Sequence, residues 1–441
     1  MKFDTVRIVA SAGRRLGWGL MALACLAPLQ LRAAEPAQPW TLQATLLRAQ
    51  EANRDVLTAR RAVDAAQADL RSASVTPAPQ LSLLSQAINT QNLGHGGGWS
   101  RPVDTIVRLD TLFERGGKRA HREQLAQAGV QAAQSDVADA LRVQQVAAAQ
   151  AYWDLKLAQV QHEAAQANAQ IAQESSRIAE LRARNGDLAR LDATRLSMET
   201  DRALNEAEQA RSELHRAQTA LAQLLALDKQ ARVVATDPWP TLAPSDSSLG
   251  GDLSDADETW LSGRADVVAA RQRLTQAQEA LALAQAQRAT DVTWSVQFEH
   301  NPPVGNHLWG VGVAFPLGVA GRQDGPIARA VVLVSEAQAT LERTEANARA
   351  EQAVLRANLV AASRRIARLD SDLVPKAREA VKAAEFARQQ GALSLQDVLD
   401  TRRLAHAAEL DAAQAHADHA KALAAMNLTS SLTSNPTVVT P

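Results

Sequence analysis

Two aspartates three residues apart, in the run Asp397-Val398-Leu399-Asp400, are the most concentrated candidate for chemistry in this 441-residue chain. Residues at that spacing share one face of a helix. Crowded into a narrow mouth, the two carboxylates would raise one another's pKa and draw cations. Solvated at a helix N-terminus, they would only complement its dipole. From spacing alone the solvated pair is the stronger reading. The stretch opens on Gln390-Gly391-Ala392-Leu393, and a near copy, Asn185-Gly186-Asp187-Leu188, lies in the first half. Aligning Gly186 with Gly391 sets Leu188 on Leu393, Asp192 on Asp397 and Arg195 on Asp400. The first copy therefore carries an acid and a base where the second carries two acids.

Other candidates are weaker. His416 and His419 stand i, i+3 on a helix, but only Asp418, on another face, is near enough in sequence to complete a metal site. Packing or a solvated position is the expectation for both. No Ser-His-Asp order, phosphate-cradling Gly loop or Cys pair is present, so neither an enzyme nor a cofactor is expected. The single cysteine, Cys25, lies in an apolar run near the N-terminus. Its plain reading is a signal residue lost on cleavage. Its sharper reading is lipidation, although Ala22-Leu23-Ala24 lacks the usual Leu three positions before.

The composition describes what must position these residues. Aromatics make up 3% of the chain while the hydrophobic fraction is 46%, because Ala supplies much of it. Long stretches rich in Ala, Leu, Gln, Arg and Glu are the signature of long helices. Ala lets helices approach closely but buries little area, so thin helical walls are expected rather than a thick core. Lys and Arg total 47 against 48 Asp and Glu, a balance that offers no field for nucleic acid. Residues 1–33 read as a secretory signal: basic Lys2, Arg7, Arg14 and Arg15, an apolar run from Leu16 to Leu29, then Leu31-Arg32-Ala33. No other run reaches the roughly 18 apolar residues of a transmembrane helix, so a membrane-spanning form would have to use strands.

The remainder divides into a first repeat (34–228), a linker (229–260), a second repeat (261–428) and a tail (429–441). Arg54-Asp-Val-Leu and Arg264-Ala-Asp-Val open matching helical runs. Residues from Trp40 to Ser74 read as helical. Strand candidates follow at 80–89 and 103–113, with a Gly-rich loop between them. From Lys118 to Arg184 there is no Pro and one Gly, a rod of roughly 100 Å. The linker is rich in Pro, Ser and Gly. In the second repeat Val292, Trp294, Val296 and Phe298 alternate with Thr293, Ser295, Gln297 and Glu299. Trp309, Val311, Val313 and Phe315 alternate with Gly310, Gly312 and Ala314. Strict period two with a polar or tiny opposite face matches a transmembrane barrel strand. Trp99, Trp294 and Trp309 suit either interfacial anchors or ordinary strand filling. Four strands cannot close a barrel, so strands in a membrane require several copies of the chain. Two copies give eight strands, and three give twelve with room for a lumen.

The order of helix, strand pair, long helix, Gly break and helix, twice over, resembles the TolC-type outer-membrane efflux family. Leu112-Phe-Glu-Arg-Gly-Gly-Lys-Arg-Ala-His-Arg122, Ala151-Tyr-Trp-Asp-Leu155, Phe315-Pro-Leu-Gly-Val-Ala-Gly-Arg-Gln-Asp-Gly-Pro-Ile-Ala-Arg329 and the two Gly breaks carry the likeness. Gly-Gly-Lys-Arg and Arg-Gln-Asp-Gly-Pro-Ile-Ala-Arg look most like the CzcC-like heavy-metal branch, with Gln323-Asp324-Gly325 in place of its usual Gln-Gly. The resemblance implies a mostly α homotrimer with a small β part. Its very long helices would form a trimeric α-barrel, and four transmembrane strands per chain would build a 12-stranded β-barrel. The linker and chain ends would belt the tunnel. It further implies a passive channel in the bacterial outer membrane, reaching into the periplasm and exporting heavy-metal cations. A periplasmic adaptor (membrane fusion protein) and an inner-membrane RND-type pump would be its partners. Asp397 and Asp400 would form a cation-selective ring at the periplasmic gate, with Asp192 and Arg195 as a secondary ring. The adaptor would dock at Gly186, Leu188, Gly391 and Leu393. A drug or polypeptide channel of the same family is the nearest alternative, and a soluble periplasmic coiled-coil protein a more distant one.

Overall fold

The structure is a computed structural model describing residues 38–86, 103–228, 232–242, 259–301, 305–317 and 321–431. The signal-like segment with Cys25, the loop holding Trp99, most of the linker and the C-terminal tail lie outside the described residues.

Two matched series of elements follow one another. The first contains β1 (Gln38–Trp40), α1 (Leu42–Ala52), α2 (Arg54–Ala73), β2 (Gln80–Gln86), β3 (Asp104–Phe113), α3 (Lys118–Arg184) and α4 (Arg190–Leu224). After β4 (Val233–Ala235) and the short α5 (Thr259–Gly263), the second contains α6 (Ala265–Ala286), β5 (Val292–Asn301), β6 (Gly305–Ala314), α7 (Asp324–Arg368), α8 (Val374–Gln389) and α9 (Leu395–Ser431).

The expected single helix from Trp40 to Ser74 is broken. Trp40 ends β1, and Asn53 separates α1 from α2. The Asn53 backbone is extended, and its carboxamide oxygen accepts from Asp55 N at 2.9 Å and Val56 N at 3.4 Å. Asn is a strong helix N-cap for this reason, and helical periodicity cannot see it. Arg264 takes the matching place at the start of α6, where it is buried and ion-paired with Asp266 and Glu351. The buried Val56 and Val267 follow at equivalent positions. The repeated Asp-Val thus marks where each copy turns into its first sheet-bound helix.

The second long helical stretch, residues 324–389, is not continuous. A π-helical segment, Leu369–Leu373, interrupts the rod between α7 and α8, and Pro375 lies in the first turn of α8. Proline lacks the N–H that an unbroken ladder needs, and the extra residue of a π turn absorbs the mismatch. The corresponding α3 runs unbroken for 67 residues. The last helix runs on to Ser431, past the expected end of the second repeat at 428.

The main core sits against the middle of α3. Tyr152, Trp153 and Leu155 pack with Leu221, Leu225 and Val233, and Trp40 and Trp239 lie over them. Here β1 and β4 pair in parallel, Gln38 opposite Val233. The Tyr152 hydroxyl donates to Trp40 O at 3.2 Å and accepts from Asp237 N at 3.0 Å. Burial pushes its pKa up to about 12, so it remains a donor throughout the physiological range. This clasp binds the segment after α4 to the chain's first strand.

Candidate functional site

The four remaining strands form one antiparallel sheet in the order β2-β3-β5-β6. Its register places Leu81 and Leu83 beside Leu109 and Val107, these beside Val296 and Phe298, and these beside Val311 and Trp309. One face is therefore continuously apolar, and it is bare: Trp309 is 76% exposed and Val311 87%. The opposite face carries Ser82, Arg108, Gln297 and Gly310 in one row, and Gln80, Asp110, Ser295 and Gly312 in the next. Arg108 Nε and Asp110 Oδ1 pair across 2.8 Å. Small residues on β6 are a packing requirement. A Cβ on Gly310 would lie 2.8 Å from the Gln297 side chain, and one on Gly312 2.5 Å from Ser295 Oγ. Among the described residues β2 and β6 each have an unpaired edge.

At the other end of the molecule both Gly breaks form the same turn. Gly186 has φ +83° and Gly391 has φ +72°. Asp187 N donates to Arg182 O at 2.8 Å, and Ala392 N to Ala387 O at 2.9 Å. These are Schellman-type caps, in which a left-handed residue closes the helix. Leu188 and Leu393 are half-buried just beyond. Two helical hairpins result, α3/α4 and α8/α9.

The structure gives the predicted acids specific partners. Asp397 is exposed, but its carboxylate accepts from Ser394 Oγ at 2.5 Å, while Ser394 Oγ accepts from Asp397 N at 3.2 Å. Ser394 thus caps α9, and the Asp397 carboxylate is held by the same hydroxyl. Asp400 is exposed and pairs with Arg403 Nη1 at 3.0 Å. Asp192 pairs with Arg195 at 3.6 Å, and Arg195 reaches Gln396 of the other hairpin at 3.5 Å. Periodicity singled out no partner for Arg403, which makes a two-pronged contact with Glu199 of α4. The Arg403 hydrogen bond holds Glu199 below the usual carboxylate range, and Glu199 in turn holds Arg403 above its own. Glu199 follows Asp192 by seven residues, and Arg403 follows Asp400 by three. Neither spacing links Glu199 to Arg403, which lie 204 residues apart.

The histidines separate. His416 stacks on Trp239, centroids 6.0 Å apart, and its Nε2 lies 3.2 Å from Asp370 in the π segment. His419 is fully buried. Sequence reasoning missed Asp370 because it lies 46 residues away on another helix. Among the described residues no cluster of three His, Cys, Asp or Glu could hold a metal ion, and no helix is long and apolar enough to cross a membrane.

Residues 46–227 match the family model described as outer membrane efflux protein. The chain carries an outer membrane efflux protein region. That region runs from within α1 through β2, β3 and α3 to just past α4, and includes the first tip. Solved structures extend the likeness in fold over both repeats. The CmeC outer membrane channel of Campylobacter jejuni superposes with a TM-score of 0.72 at 18% identity, covering 88% of this chain and 85% of that one. The outer membrane protein VceC of Vibrio cholerae gives 0.69 at 20% identity, covering 88% and 95%. A membrane protein from Pseudomonas aeruginosa gives 0.73 at 19% identity, covering 88% and 93%. No curated protein matches the sequence at a comparable level of significance. The efflux-protein fold therefore includes the second repeat, whose tip lies beyond the matched segment.

Proposed function

We propose that this chain is the outer-membrane exit duct of a tripartite efflux system, working as a homotrimer. The observation that carries the reading is the sheet, with one bare apolar face, one polar face and two unpaired edges. A water-filled interior with a lipid exterior accounts for both faces. In a bilayer the free β2 and β6 edges must be satisfied, and pairing β6 of one copy with β2 of the next does so. Three copies close twelve strands around a lumen. The helices then continue the duct into the periplasm, with the linker and β1/β4 belting its middle. The solved channels CmeC and VceC, described as outer membrane proteins, support this placement.

The duct is passive, so an inner-membrane RND-type pump drives transport and a periplasmic adaptor docks at the tips. Gly186 and Gly391 shape those turns, and Leu188 and Leu393 offer the apolar contacts. In the resting state the Glu199–Arg403 and Arg195–Gln396 contacts hold the α8/α9 hairpin against α3/α4. Opening separates them and moves Asp397 and Asp400 apart around the mouth. Heavy-metal cations are the cargo we favour, since three chains would bring six such carboxylates together. Their engagement with Ser394 and Arg403 reduces the field each contributes. A drug or polypeptide cargo is the alternative outcome.

The test is membrane fractionation combined with planar bilayers. Heat-resistant trimers in the outer-membrane fraction, conducting when reconstituted, are expected. Purely soluble recovery refutes the reading. Sensitivity of a deletion strain to metal salts, compared with organic toxins, separates the cargoes.

A further inference from the structure

The helix-side end of the sheet carries more positive charge than its own acids neutralise. All four strands meet the helices there: Gln80 and Val292 begin β2 and β5, while Phe113 and Ala314 end β3 and β6. The turns beneath contain Arg115, Lys118, Arg119, Arg122, Arg288, Arg322 and Arg329 against Glu114, Glu123, Asp291 and Asp324. Every one of those acids is already engaged. Lys118 pairs with Asp291 at 2.8 Å, Arg119 with Glu123 at 2.8 Å, Arg122 with Glu114 at 2.8 Å and Arg288 with Asp324 at 3.0 Å. Arg115, Arg322 and Arg329 are exposed, and within the described residues their guanidinium groups make no hydrogen bond or ion pair; Asp291, which feels the charge of Arg115, is already paired with Lys118. The opposite end of the sheet presents Asp104 and Glu299 instead.

The position of these three matters as much as their charge. Arg115 follows two residues after Phe113, where the column Val107, Leu109, Thr111, Phe113 and the strand itself end. Phe113 and Phe315, both more than half exposed, form an aromatic fringe between the apolar face and the guanidinium groups. The backbone is fixed there. A Cβ on Gly116, at φ +76°, would come within 2.7 Å of Ala289 Cβ, and Arg115 N donates to Asp291 Oδ1 at 2.9 Å. An apolar surface, an aromatic fringe and then unpaired arginines is the sequence of environments a protein presents from hydrocarbon core to headgroups. Arginine also matches phosphate geometry.

We propose that Arg115, Arg322 and Arg329 form a collar that binds the phosphate-bearing headgroups of anionic phospholipids where the sheet leaves the membrane on its helix side. The proposal rests on the reading of the sheet as membrane-spanning. Three copies of the chain would triple the collar and make it a ring, fixing the depth of the duct in the bilayer. Each basic side chain near an anionic surface contributes a factor of about five in affinity.

Trp294 is a built-in reporter. It is exposed on the apolar face and pairs with Thr111 and Val313, near the collar end. In a Trp99→Phe/Trp309→Phe background, reconstituted into bilayers, its quenching by brominated phosphatidylglycerol is compared with that by brominated phosphatidylcholine. The expected result is a severalfold preference for phosphatidylglycerol. Arg115→Gln/Arg322→Gln/Arg329→Gln or high salt should bring it close to one. Equal quenching by the two lipids before any arginine is replaced overturns the proposal, as it would if the collar served an acidic protein partner instead. A preference unchanged in the triple variant also overturns it. If the triple variant does not insert, the salt titration on the parent protein decides. Absence of quenching by either lipid sinks the membrane-spanning reading itself, a distinguishable result.

Discussion

Replacing Arg403 by Gln is the most direct test of how the tip is held. The substitution removes two contacts at once, the pairs with Glu199 and with Asp400. Glu199 keeps about a fifth of its side chain exposed and Arg403 about half. Solvent therefore screens the pair well below its buried value. A two-pronged, charge-assisted contact in that setting contributes about 1 kcal/mol. Three copies in one trimer would contribute about 3 kcal/mol to the closed state, which corresponds to roughly a hundredfold change in the open-to-closed ratio. Single-channel recording in planar bilayers reads this directly as open probability. Asp400→Asn leaves the Glu199 contact in place and should give a much smaller change. The charge exchange Glu199→Arg/Arg403→Glu should restore most of the closure. The pair also predicts a pH effect of definite sign. Glu199 is held below its ordinary value of 4.5. The contact is thus fully present at neutral pH and is lost as pH falls through the lowered value. Open probability of the parent channel should rise in that acidic window, and in Arg403→Gln it should not. An open probability unchanged by Arg403→Gln at neutral pH would show that this contact does not hold the tip.

Three further outcomes follow from the same geometry. Asp397→Ala with Asp400→Ala should raise conductance and weaken block by divalent cations, while Asp397→Ala alone removes only the carboxylate's bond to the Ser394 hydroxyl and leaves the cap that Ser394 makes with the backbone N–H of residue 397; unchanged block excludes the ring. Ala at Gly186 or Gly391 meets no neighbour within 4 Å, so the cost is only the left-handed backbone, about 1 kcal/mol each. Thermal melting and adaptor cross-linking measure that cost and its consequence. Val311→Arg, in the middle of the bare face, should cost about 2–4 kcal/mol of insertion free energy, whereas Gln297→Arg on the opposite face should change ion selectivity and leave insertion intact.

Legibility in the sequence followed the range of the interaction involved. Period-two alternation in β5 and β6 and the length of α3 are local patterns, and the strands and the long rod could be read from them, while the efflux-protein fold was implied by the resemblance. The Gly turns were legible because a left-handed residue leaves a compositional mark. The break at Asn53 was not, since an N-cap changes one residue without disturbing the apolar spacing on either side. The π segment was visible only as Pro375, and its counterpart Asp370 meets His416 through packing that no spacing announces. At the tip the acids themselves were visible, but their partners were not. Ser394 is a local neighbour that a helix N-cap pattern could have named. Glu199 lies 204 residues from Arg403, and such a pair becomes visible only when the two hairpins are placed side by side.

That pairing also gives the duplication a physical purpose. If Gly186 is set on Gly391, Arg403 falls on Met198 and Glu199 on Leu404. Two copies of the first hairpin would set Glu199 against a methionine, and two of the second would set a leucine against Arg403, so identical hairpins would form no ion pair here. Here the copies have diverged so that an acid on α4 meets a base on α9, while Arg195 occupies the position matched by Asp400 and turns toward Gln396. Divergence at the tip therefore makes a contact between the repeats that neither repeat could make with an exact copy of itself. The walls along α3 and α7 need only matching geometry and retain it. Returning residues 195–199 to the second-repeat pattern should leave the helices folded and the sheet intact while loosening the tip, with circular dichroism unchanged and open probability raised. Loss of helical content in that variant would mean that the divergence serves folding, and the tip contact would then be incidental to it.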